Sequence, residues 1–125
     1  MDNKLTPIEF EYLQNETLSK IEVEDTRITF TLKNGERFML FHDQDCCENV
    51  YVEDIAGDIS DLIGMPLLLV EESSNEDDPP AEGTQEFYQW TFYKMSTNRG
   101  SVTIRFFGSS NGYYSTAVSF VKLED

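Results

Sequence analysis

Residues 34 and 35 are Asn-Gly, and the chain alternates apolar and polar side chains on both sides of them, over Arg27 to Lys33 and Arg37 to Phe41. That combination is the strongest local signature of a β-hairpin. Strand side chains point to alternate faces, and the tight turn between strands favours residues that tolerate positive φ. A lone hairpin is marginal in water and needs further strands to cover its apolar face. The sequence supplies them. Leu18 to Glu24 alternates, Val50 to Ile55 reads as a strand, and Met65 to Glu72 reads as a buried strand around the apolar run Leu67 to Val70. Glu86 to Met95, Ser101 to Phe107 and Tyr113 to Lys122 are expected to form a three-stranded C-terminal meander with turns at 98–100 and 109–112.

Two short helices complete the expectation. Thr6 is placed to cap, Pro7 suits the first helical position and Glu9 completes a capping box, giving a helix that ends near Asn15 with Ile8, Tyr12 and Leu13 on one face. Residues 57–64 read as one or two helical turns closed by Gly64. The predicted fold is therefore α+β: a mostly antiparallel, bent sheet, hairpin plus meander, with one or two short helices in a single domain over 1–125. Residues 73–85, which include Asp77-Asp78-Pro79-Pro80, are expected to be a mobile acidic loop within it. Leu13 to Glu22 also rhymes with Leu62 to Glu71, each a short helix, a turn and a strand, as in a weak internal duplication.

Charge narrows the function. The formal net charge is −15, and the 56 residues from Phe38 to Tyr93 contain no Lys or Arg. Residues 38–86 hold fourteen acids, whereas residues 87–123 hold Lys94, Arg99, Arg105 and Lys122 and no acid. A polyanion is a poor direct partner for nucleic acid or an anionic membrane, so the layout favours a basic protein surface. No apolar run is long enough to span a membrane and no apolar leader segment is present, so a soluble protein of the host-cell cytosol is expected. Two adjacent cysteines, Cys46 and Cys47, make no disulfide framework and are expected as free thiols in a reducing compartment.

Within His42 to Glu48, nitrogen, oxygen and sulfur donors crowd into seven residues. A metal or redox centre on His42, Cys46 and Cys47 is one reading, although adjacent cysteines suit tetrahedral zinc poorly. Thiol catalysis would need His42 as the base, and nothing supplies an oxyanion hole. No phosphate-binding, dinucleotide or hydrolase motif occurs, so neither an enzyme nor a cofactor is expected. The aromatics Tyr88, Trp90, Phe92, Tyr93, Phe106, Phe107, Tyr113 and Tyr114 are expected in cross-strand packing on the sheet core, since the global charge opposes a stacking platform for single-stranded nucleic acid.

The stretch His42-Asp43-Gln44-Asp45-Cys46-Cys47-Glu48-Asn49-Val50-Tyr51-Val52-Glu53-Asp54-Ile55, together with Trp90 to Lys94, Gly100 to Arg105 and Gly108 to Ser115, resembles a family of small bacteriophage and prophage proteins known as a domain of unknown function. The resemblance spans most of residues 15–122. It implies phage origin and a compact domain, and it transfers no activity. Combined with the charge, it leads to an expected phage accessory protein that binds and inhibits a host protein. Carboxylates would stand in for nucleic-acid phosphates against a CRISPR nuclease or another nucleic-acid enzyme. The expected partner-binding residues are Asp43, Asp45, Glu48, Glu53, Asp54, Asp58 and Asp61, then Glu76, Asp77 and Asp78. A phage structural or assembly component, with charge serving solubility, is the remaining alternative.

Overall fold

A computed structural model describes residues 4–44, 47–77, 87–110 and 115–124. Nine strands form there: β1 (Lys4–Pro7), β2 (Leu18–Val23), β3 (Arg27–Leu32), β4 (Arg37–Phe41), β5 (Asn49–Ala56), β6 (Leu69–Asp77), β7 (Phe87–Thr97), β8 (Gly100–Ser110) and β9 (Ser119–Glu124). The only helical segments among the described residues are single 3-10 turns at Phe10–Leu13 and Ile59–Leu62. The α+β expectation is thus corrected to an almost entirely antiparallel β fold. Its sheets have the orders β1-β9-β4-β3-β2 and β5-β8-β7-β6.

The N-terminal helix fails for a tertiary reason. Thr6 and Pro7 pair with Lys122 and Val121 as an edge strand, where a residue lacking an N–H is tolerated. Glu9 makes no side-chain cap. The turn that follows buries Phe10 and Leu13 and exposes Tyr12. The hairpin at Asn34-Gly35 forms with a different turn. Only Gly35 takes positive φ, and Leu32 bonds both Gly35 and Glu36, which makes a three-residue loop; the Asn34 amide holds Glu36. Residues 73–77, expected as loop, extend β6 along β7, while residues 78–85 lie outside the described residues. Leu68 and Leu69 in the apolar run are exposed, and Leu67 and Val70 are buried.

The C-terminal meander is also corrected. β7 and β8 form the expected hairpin, but β9 leaves them and inserts between β1 and β4. The free side of β8 is taken instead by β5. Apart from β1, each half of the chain therefore contributes a 3-10 turn and four strands, and each gives the last of those four to the other half's sheet: β5 to β8, β9 to β4. The 3-10 turns match position for position, Phe10 with Ile59 and Leu13 with Leu62. At the same offset, Asn15 and Gly64 both take positive φ. The Asn15 N–H donates to the Leu67 carbonyl at 2.8 Å, and the Gly64 N–H donates to the Leu18 carbonyl at 2.9 Å. These two bonds are exchanged copies of each other, so the rhyme of 13–22 with 62–71 is a local two-fold relation in space.

Phe10 joins the sheets into one core. Its ring lies 5.3 Å from Phe120 on one sheet and 4.8 Å from Tyr93 on the other. Phe30 and Phe38 pack beside Phe120, and Phe106 beside Tyr93.

Candidate functional site

The four-stranded sheet turns one face to the core and one to solvent. Strand alternation sends Val102, Ile104, Phe106, Thr91, Tyr93 and Met95 inward, where they are buried. The opposite positions carry Phe107, Arg105, Trp90, Phe92 and Lys94. Register arranges the outer face as a grid: Tyr51, Phe107, Trp90 and Asn75 make one row, with Asn49, Ser109 and Tyr88 on one side of it and Asp54, Arg105, Phe92 and Ser73 on the other. The Phe107 ring lies 5.7 Å from Tyr51, 5.2 Å from Trp90 and 5.8 Å from Tyr88. All four rings and Phe92 are half-buried. Cross-strand aromatic packing exists, but four of the expected residues, Tyr88, Trp90, Phe92 and Phe107, make a patch with Tyr51 on the solvent face, and Tyr113 and Tyr114 lie outside the described residues.

Acids flank this face on its two outer strands, β5 and β6. A bulge between Val52 and Asp54 brings Glu53 and Asp54 to the β5 side, where Glu53 Oε1 lies 2.7 Å from Arg105 Nε. Asp54 and Glu71 are exposed and make no ion pair among the described residues. By contrast, the depression of about 450 Å³ on the outer face of the five-stranded sheet mixes both signs, with Arg27 held by Glu24 at 2.8 Å.

A second constellation sits where β4 passes to β5. His42 Nε2 lies 2.6 Å from Glu48 Oε2, with side-chain exposures of 5% and 0%. His42 Nδ1 lies 2.7 Å from the Ala117 carbonyl. A carbonyl can only accept, so Nδ1 carries a proton and donates it. One further proton then sits between Nε2 and the carboxylate, leaving a buried pair with no net charge. The ring pins the β4–β5 connection to the segment leading into β9. Cys47 is in a disulfide, which corrects the expectation of free thiols. Both His42 nitrogens and the Cys47 sulfur are engaged, Cys46 lies outside the described residues, and no metal-competent cluster of His, Cys, Asp or Glu occurs among the described ones.

The family model described as "Domain of unknown function (DUF7448)" matches residues 11–120. The chain belongs to that family. No curated protein and no solved structure matches it.

In this DUF7448 chain the expected partner-binding acids have divergent fates. Glu48 is withdrawn into the core against His42. Asp58 caps the second 3-10 turn, accepting from the Ser60 N–H at 3.0 Å and the Ser60 hydroxyl at 2.7 Å, and these bonds hold its carboxyl below the usual range. Asp61 is half-buried, and its carbonyl accepts from Thr97 Oγ1. Glu53 is tied to Arg105. Asp43 is exposed and lines a depression of about 390 Å³ with Gln44, Glu48 and Ser115. Asp54 is exposed beside the aromatic face. Glu76 and Asp77 are placed by backbone only, in register with Gln89 and Tyr88, and Asp45 and Asp78 lie outside the described residues.

The aromatic patch was missed as a surface. Its signal was the alternation Tyr88, Trp90, Phe92 against Thr91, Tyr93, Met95, which makes β7 apolar on both faces. In the two-sheet fold only one of those faces meets the core.

Proposed function

We propose that this chain is a non-catalytic, phage-type accessory protein that binds a basic host protein and inhibits it by occupying its surface. The observation that carries the reading is the solvent-facing block of Tyr51, Phe107, Trp90, Tyr88 and Phe92 on the four-stranded sheet. Contiguous exposed apolar patches rimmed by polar residues mark binding surfaces, and Trp and Tyr dominate the energetic centres of protein interfaces. The charge of −15 and the acids around the block favour a partner with Lys and Arg on its surface, such as a nucleic-acid enzyme or CRISPR nuclease. Of the expected partner-binding acids, Asp43 and Asp54 are exposed and make no ion pair among the described residues, so they are available to act in this way. Such a partner sets the site of action in the host cytosol. Thiols are kept reduced there, so binding is to be measured with the Cys47 disulfide reduced as well as intact.

Immobilised wild type and a Trp90→Ser/Phe107→Ser variant, both folded by circular dichroism, test the reading. Wild type should retain a basic host protein and inhibit its activity. The variant should lose roughly 2 kcal/mol or more of binding, as for removal of interface anchors. Equal retention by both chains overturns it.

A further inference from the structure

We infer that the aromatic face reads arginine: the partner presents an extended, arginine-bearing segment whose guanidinium planes lie on the rings of Trp90, Phe107, Tyr51 and Tyr88. The inference rests on the proposal that this face docks a protein, and it names what the face selects. Three features favour that occupant. First, the rings lie in a continuous cluster across three adjacent strands, with centroids 5.2 to 5.8 Å apart around Phe107. That is a surface for flat groups, and a guanidinium is a planar, permanently charged cation, able to stack while its N–H groups reach sideways. Second, carboxylates flank the rings. Asp54 lies on the strand next to β8 and one row from Phe107, and Glu71 lies two rows from Trp90 on the strand next to β7. Both are exposed and unpaired among the described residues. Asp54 is a diagonal neighbour of Phe107, about 7–8 Å away, so a guanidinium stacked on that ring is within reach of its carboxylate, while Glu71, opposite Lys94, adds negative charge farther along the face. Third, the face already seats one guanidinium beside a carboxylate, since Arg105 lies in the grid with its Nε 2.7 Å from Glu53 Oε1.

The same features disfavour a nucleic-acid occupant. Of the two cations on the face, Arg105 is neutralised by Glu53 and only Lys94 stands exposed. A stacking platform for single strands needs a positive groove to follow the phosphates.

Trp90 is the only tryptophan in the chain, so its fluorescence reports the face directly. Purified protein is titrated with a short peptide of alternating arginine and glycine, with its lysine–glycine counterpart of equal length and charge, and with a single-stranded oligonucleotide. The arginine peptide should bind about tenfold more tightly than the lysine peptide, the range set by stacking of a cation on aromatic rings. Phe107→Leu keeps the reporter and should bring the two peptides to near parity. Asp54→Asn/Glu71→Gln should weaken both by similar factors and preserve their ratio. Equal affinity for the two peptides, no binding of either, or tighter binding of the oligonucleotide overturns the inference. A host protein still captured through Trp90 and Phe107 would leave the docking proposal standing in each of those cases.

Discussion

The His42–Glu48 contact shows how much a single residue's role depends on its partners. Residue type alone made His42 a candidate base or ligand and made Glu48 a surface acid. Folding brings the two together at 2.6 Å with the carboxylate wholly buried. Glu48→Ala should cost about 3 kcal/mol, because it leaves a buried ring nitrogen without its partner. Glu48→Gln should cost about 1 kcal/mol, since the amide can donate to Nε2 while Nδ1–H still donates to Ala117. Urea midpoints of the two variants give the comparison, and equal losses would mean the shared proton does not matter. Glu72 offers a second residue-scale test. It stands opposite Tyr93, whose buried hydroxyl lies against the carboxylate without meeting it in hydrogen-bond geometry. Partial burial, then the charges of Glu11 and Glu9, push the Glu72 carboxyl above the ordinary glutamate range. The folded state thus holds this proton more tightly than the unfolded chain. Its contribution to stability is full below the ordinary value and is lost as pH rises through the raised one. Glu72→Gln should therefore stabilise the fold at pH 7 by less than about 1 kcal/mol given solvent screening, read as a raised melting temperature, and bring no gain at pH 4.

At the scale of elements, strand positions were legible in the alternation of β2, β3, β4, β5, β7 and β8, because a period of two follows from strand geometry itself. Partnership was not. Sequential strands usually pair, so placing Tyr113–Lys122 beside β8 followed the common rule, and the exchange of fourth strands broke it. What makes the exchange fit is a close approach at Gly108. A Cβ there would stand 2.7 Å from Thr116 Cβ and 3.2 Å from Val50 Cγ2, as the chain on its way to β9 crosses the inner face of β8. Thr116 Oγ1 donates to Gln89 Oε1 at 2.7 Å along that path. Gly108→Ala should destabilise by about 1–3 kcal/mol through overpacking, read as a lowered denaturation midpoint. A neutral substitution would show that the crossing is looser than these distances require. The N-terminal helix failed in the same way: its capping signals were sound locally, but β9 offered Lys4–Pro7 a ladder.

For the whole molecule, charge is the organising quantity. Arg27, Arg105, Lys20 and Lys122 each lie within an ion pair, with Glu24, Glu53, Glu22 and Glu36, which leaves most carboxylates without a cation. Their mutual repulsion disfavours the compact state and is screened by salt. Raising NaCl from low ionic strength to about 0.5 M should stabilise the fold by on the order of 1 kcal/mol, a shift of a few degrees in melting temperature. A melting temperature that falls with salt would show that the ion pairs outweigh the repulsion. The acidic excess was plain in the sequence. Which acids remain available was not, because caps, a bulge and a buried histidine decide that in three dimensions.

The exchange of strands also has a consequence for synthesis. On the ribosome β4 emerges early, but the neighbour that covers it, β9, is the last strand of the nine to appear. Until then β1 has no ladder partner and one side of β4 stands open, a template for pairing with another chain. Translation must run nearly to residue 124 before the N-terminal sheet closes, so a message cut short just before Ser119 yields a chain with two exposed edges where the finished protein has an interior strand.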